Sequence, residues 1–159
     1  MVDKNKAIVE YLLGCPVLAE NPLFFNFAEA KDTHKQLLPV ATDTSLNKPY
    51  IDGSVDKRFT FTIIDYRSII YQEVVKLEGY QNENIEEMFD VQSIIEWVSA
   101  QNDLRNFPDF GEDCQIEEIR AVTETPNLNG VDTEATPAIA KYSISIQVFY
   151  LDTSKRIWK

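Results

Sequence analysis

Histidine occurs once in this chain, as His34, and cysteine twice, as Cys15 and Cys114. That scarcity removes most of the usual catalytic vocabulary. The cysteines stand 99 positions apart with no second cysteine or histidine nearby, which fits neither a disulfide scaffold nor a zinc motif. They read as buried thiols of a reducing cytosol. The five glycines fall singly, at expected turns or element ends, and no GxxxxGK[ST] or GxGxxG motif offers a phosphate cradle. No apolar run approaches the ~18 residues of a membrane span. Charged residues reach Glu10, unlike the apolar core of a secretory leader.

Basic residues are also few, 15 against 26 acidic, for a net charge of −11. The imbalance is local. Between Glu83 and Glu134 stand 14 acidic residues and two basic ones, Arg105 and Arg120, so that stretch carries −12 and the rest of the chain +1. Gripping duplex DNA takes Lys and Arg that displace counterions, so sequence-specific nucleic-acid binding is not expected.

What is present is enough for a core. A chain of 159 residues suits a single domain, 1–159. Such a chain buries about 70 % of the surface its unfolded form exposes. Its 44 % apolar and 11 % aromatic content separates it from disordered sequences.

Hydrophobic spacing then orders the elements. Ile8, Tyr11 and Leu12 share one helical face over 2–13, ended by Gly14 and Pro16. "FFNFAEA", with Phe25 and Phe27 alternating, and "KQLLPVA" read as two strands joined by a turn at "DTH". "KRFTFTIID" alternates strictly, placing Phe59, Phe61 and Ile63 on one face, and it is expected to continue into "SIIYQEVV". Asn84 with Glu87 predicts an N-cap for a helix whose stripe is Met88, Val91, Ile94, Ile95 and Val98 and which Pro108 stops by about residue 106. "CQIEEIRAV" and "AKYSISIQVFYLD" close the chain as strands, the latter with Tyr142, Ile144, Ile146, Val148 and Tyr150 on one side. Residues 42–55 and 123–137 read as long polar loops. The predicted order is α-β-β-β-α-β-β: an α+β fold, a mainly antiparallel sheet with two helices packed on one face.

No constellation of reactive groups stands out. His34 sits in an expected turn without a GxSxG partner motif, and reads as a solvated turn residue. Asp109, Glu112 and Asp113 could hold a hard cation but lack the calcium-loop spacing, so a solvated acidic corner is the plainer reading. Tyr142, Phe149 and Tyr150 fit a sheet face better than a ligand platform.

One succession of segments carries more. "VQSIIEWVSAQN", then "RNFPDFGEDCQIEEI", a polar loop and the terminal strand "AKYSISIQVFYLD" together resemble the tail terminator (tail completion) proteins of long-tailed bacteriophages. That family includes minor capsid and minor tail proteins of phages of Gram-positive hosts. The likeness spans most of the chain and is densest over 89–119. It implies a structural protein of the virion, assembled in the host cytoplasm. In that role a homo-hexamer ring ends tail-tube polymerisation and joins the tail to the head–neck connector. The implied partners are further copies of the chain, the tail tube protein and the neck connector; no enzyme activity, cofactor, metal or membrane is implied. Another small neck or tail-tube component is a related possibility. An acidic cytosolic binding module, or a metal-dependent enzyme using the Asp109 corner, are readings from other classes.

Within the ring reading, the acidic stretch has a use. DNA must slide through a tail without sticking, so Glu112, Asp113, Glu117, Glu118, Asp132 and Glu134 are expected to line the bore. Phe107, Pro108 and Phe110 either anchor a subunit contact or close the protomer's own core at the helix end.

Overall fold

The computed structural model describes residues 2–20, 22–41, 44–70, 73 and 82–157. In chain order its elements are α1 (Lys4–Leu12), α2 (Pro16–Ala19), β1 (Leu23–Phe25), β2 (Lys35–Val40), a 3-10 turn (Thr44–Leu46), β3 (Lys48–Pro49), β4 (Val55–Ile69), α3 (Glu83–Asp103), β5 (Cys114–Ala121), β6 (Asn127–Asp132) and β7 (Ala138–Asp152). The class is α+β, as expected, with three α-helices among the described residues where two were expected.

The sheet is built on two 15-residue strands, β4 and β7, antiparallel along their whole length from Val55 opposite Asp152 to Ile69 opposite Ala138. At ~3.3 Å per residue each spans roughly 50 Å. The outer edge of β4 is covered by β2 and then β3, and that of β7 by β5 and then β6, in both cases end to end. β1 adds to β2 in parallel, the one parallel pairing among the described residues, where neighbouring hairpins were expected.

Period-2 alternation decides the faces. Phe61 and Ile63 of β4, and Tyr142, Ile144, Ile146 and Val148 of β7, point to one side, and each is no more than 5 % exposed. All three helices pack on that side, through Ile8 and Leu12 of α1, Leu18 of α2 and Val91, Ile94, Ile95 and Val98 of α3. The opposite face carries Thr60, Thr62, Ser143, Ser145 and Gln147, and the Thr62 and Ser145 hydroxyls bond across the strands at 3.1 Å.

The structure corrects several boundaries. Both supposed loops contain a strand. β3 forms the short arm of a hairpin whose turn closes with Gly53 N donating to Tyr50 O at 3.1 Å. β6 lies in the other loop, and every one of its residues is exposed, so no apolar period marks it. The N-cap of α3 is Asn82, whose side chain accepts from Ile85 N at 2.9 Å. Asn84 instead bonds the backbone of Ile70 in both directions, N–H and carbonyl, at 2.8 Å each. The helix ends at Asp103, before Pro108 is reached. Arg105 adopts φ +57°, and Asn106 N reaches back to Gln101 O, so the chain turns out of the helix there. Continuation of β4 into "YQEVV" falls outside the described residues apart from Glu73.

Candidate functional site

Because α3 ends in that left-handed turn, residues 107–113 fold back over the open end of the core. Phe110 is 4 % exposed and meets Phe59 and Tyr150 edge-on, at centroid distances of 5.7 and 5.5 Å. Burial pushes the Tyr150 phenol up to about 12. Lys4 of α1 lies over both the Phe110 and Tyr150 rings, at 5.8 and 5.7 Å. Pro108 is buried too. Phe107 is half-buried beneath the Arg105 guanidinium, 5.5 Å from its ring. Of the two readings of this corner, the geometry puts Phe110 and Pro108 in the protomer's own core. Phe107 keeps surface that a neighbour could cover.

The six acids do not gather in one patch. Glu112 and Asp113 precede β5, Glu117 and Glu118 lie on it, and Asp132 and Glu134 stand at and beyond the end of β6. Cys114 pairs with Asp152 and Asp132 with Ile139, which puts the two ends of this column 13 positions apart along β7, or roughly 40 Å. All six border the same long edge. Glu118 lies 3.9 Å from Arg120, whose guanidinium stacks 4.8 Å from the Phe149 ring on the helix-free face.

That edge is finished differently at its two ends. Along β5, Asn102 of α3 accepts from Ile119 N at 3.0 Å, and Arg105 donates to Glu117 O at 3.3 Å, so outward backbone groups are already occupied. Along β6 no such bond from another element is present among the described residues, and Leu128 and Val131 are 55 % and 39 % exposed. At the opposite edge of the sheet no strand lies beyond β1 among the described residues, and Phe24, Phe25 and Phe27 are exposed. The expectation of an alternating strand through Phe27 fails because Asn26 takes φ +69° and ends β1 at Phe25.

Sequence reasoning missed a buried ionic cluster. β4 alternation carries Asp65 and Arg67 to the helix-covered face, next in line after Phe61 and Ile63, and the register sets Lys35 of β2 opposite Asp65. Arg67 grips the Asp65 carboxylate through Nε at 2.9 Å and Nη2 at 3.0 Å. Its remaining donor, Nη1, reaches Glu87 at 3.3 Å and also Asp90, both on α3. Lys35 Nζ lies 3.7 Å from Asp65 and donates to Thr33 O at 3.0 Å. Burial lowers the Lys35 ammonium and raises the Asp65 carboxyl. For Arg67, burial is outweighed by the hydrogen bonds and charges of Asp65 and Asp90, and its pKa rises. The signal was available: charges at alternate positions of a strand whose other alternate residues are core. The cluster ties α3 to the sheet.

His34 does stand in the turn before β2, half-buried with its ring 5.2 Å from Phe24, rather than fully solvated. No hydroxyl or thiol bonds to that ring among the described residues. Cys15 and Cys114 are both free thiols, the first buried. Among the described residues no three His, Cys, Asp or Glu side chains converge as a metal site, and no helix is long and apolar enough to cross a membrane. No protein-family model matches the sequence, and no curated protein matches it either.

Proposed function

We propose that this chain is a tail terminator of a long-tailed bacteriophage: a structural virion protein that forms a homo-hexameric ring, ends tube growth and presents a face to the neck. The observation that carries the reading is the unit made by residues 89–119, the stretch of strongest likeness. It folds as one piece, with α3 laid across β5 and β7 and its C-terminal turn bonded to the β5 backbone. Long rigid strands and bare sheet edges suit a part whose work is done through interfaces. The partners are further copies, the tail tube protein and the neck connector, with DNA passing through the bore and the ring located in the virion.

Electron microscopy of the purified chain, and of tails isolated with it, tests this. Six-fold rings capping the head-proximal end of tubes are expected. Tails that terminate normally in its absence would overturn the reading.

A further inference from the structure

We propose that β1 of one copy pairs with β6 of the next, so that the sheet continues from protomer to protomer. This deepens the ring reading and rests on it for the number of copies.

The register places the two bare edges at the same height. Leu23 pairs with Lys35, Lys35 with Asp65, Asp65 with Tyr142 and Tyr142 with Leu128, one row crossing the whole sheet. The next row runs from Phe24 through Gln36, Ile64 and Ser143 to Asn127. Copies set side by side in the same orientation therefore meet edge to edge with no offset along the strands. β1 and β6 run in opposite directions, as the chain of pairings requires, so the new contact is antiparallel. A head-to-tail contact that rotates without translating closes into a ring, whereas an axial step would build a filament.

Chemistry selects the same pairing. Exposed strand edges recruit other strands unless blunted, and β5 is blunted while β6 is not. Glu124, Asp132 and Glu134 flank β6 and are exposed, so two β6 strands brought together would repel. Residues 22–28, "PLFFNFA", carry no charge and expose three phenylalanines, which suits an edge bordered by acids. A bulge at Asn129 interrupts β6 and limits its partner to a short run, which a three-residue strand can supply.

Two variants test this, each placing lysines at exposed positions: Phe25→Lys with Phe27→Lys on the β1 edge, and Leu128→Lys with Val131→Lys on the β6 edge. Circular dichroism checks that each remains folded, and light scattering after size exclusion reads the mass. The wild type is expected to assemble, each variant alone to be monomeric, and their equimolar mixture to stop at a dimer through its one intact contact. Amide exchange of the wild type should slow at 23–27 and 127–132 as concentration rises, a readout that needs no variant. Variants that assemble like the wild type, a mixture that stays monomeric, or a wild type monomeric at its highest soluble concentration would each overturn edge pairing. Rings that form equally well from either variant reject this contact while leaving the terminator reading intact.

Discussion

Replacing Arg67 with alanine should destabilise the fold by about 3–5 kcal/mol, the range for removing one partner of a buried ion pair. Asp65 is fully buried and takes two hydrogen bonds from Arg67, at 2.9 and 3.0 Å. Without that guanidinium, the nearest cation is Lys35, 3.7 Å away and already engaged with a backbone carbonyl. The desolvated carboxylate then loses its main compensation. Glu87 and Asp90 contact the same Arg67, but their side chains are 36 % and 50 % exposed. Solvent screens them, so Glu87→Gln or Asp90→Asn should each cost at most ~1 kcal/mol. Urea titration of the three variants, with unchanged slope, reads the difference. Pairing Arg67→Met with Asp65→Leu should recover only part of the loss, since Lys35, also fully buried, is left without its carboxylate. If Arg67→Ala proves no more costly than Glu87→Gln, the cluster is solvated and the reasoning fails.

Ile95→Ala should cost about 2–5 kcal/mol as a core truncation, and a change within about 0.5 kcal/mol would mean that the α3 stripe faces water. Gly53→Ala should cost roughly 1–3 kcal/mol in thermal unfolding, because Gly53 has φ +90° and an added Cβ would stand 2.3 Å from the Lys155 carbonyl oxygen. At Asp152, burial is outweighed by hydrogen bonds from Lys57 and Ser154, and the carboxyl is held well below its usual range. Its contribution is present above the unfolded value of 3.8 and lost as pH falls below it, so the destabilisation by Asp152→Asn measured at neutral pH should shrink in acid. His34→Ala should leave assembly unchanged, and a hydrolytic turnover of the wild type that vanishes in this variant would refute a purely structural role.

Strands with one buried face announce themselves, which is why β4, β7 and the α3 stripe were legible residue by residue. β6 was not, because a strand exposed along its whole length has no burial to impose a period. β3 is two exposed residues held by a turn, too short to show any period. The capping error at α3 arose from two asparagines two positions apart. Either can cap, and the choice fell to Asn82 because Asn84 is claimed by the Ile70 backbone, a contact no local pattern reveals. The bare edges were invisible for a related reason: whether a backbone group is satisfied depends on what docks beside it, as Asn102 and Arg105 do for β5.

The same distinction bears on the acids. Not all of the negative charge between Glu83 and Glu134 is available to a bore, since Glu87 and Asp90 turn to Arg67 and Glu118 sits beside Arg120. Glu83, Glu86, Glu96 and Asp103 are exposed on α3 instead, and Glu112, Asp113, Glu117, Glu124, Asp132 and Glu134 run along the β5–β6 edge, the edge that a neighbouring β1 would adjoin in the proposed ring. Each subunit seam would then carry one column of acids. The helices occupy one face of the sheet, so a bore lined by the other face would present Thr60, Thr62, Ser143, Ser145 and Gln147 together with the basic Arg58, Arg120 and Lys141, between the acidic seams. DNA would slide on such a surface only if the acids of the seams offset those three cations and so remove the counterion-release attraction. A structure of the assembled ring decides the matter. Finding Glu112, Asp113, Glu117, Asp132 and Glu134 on the outer rim around a neutral or basic bore would sink the lumen assignment, and the terminator reading would then have to stand on the ring alone.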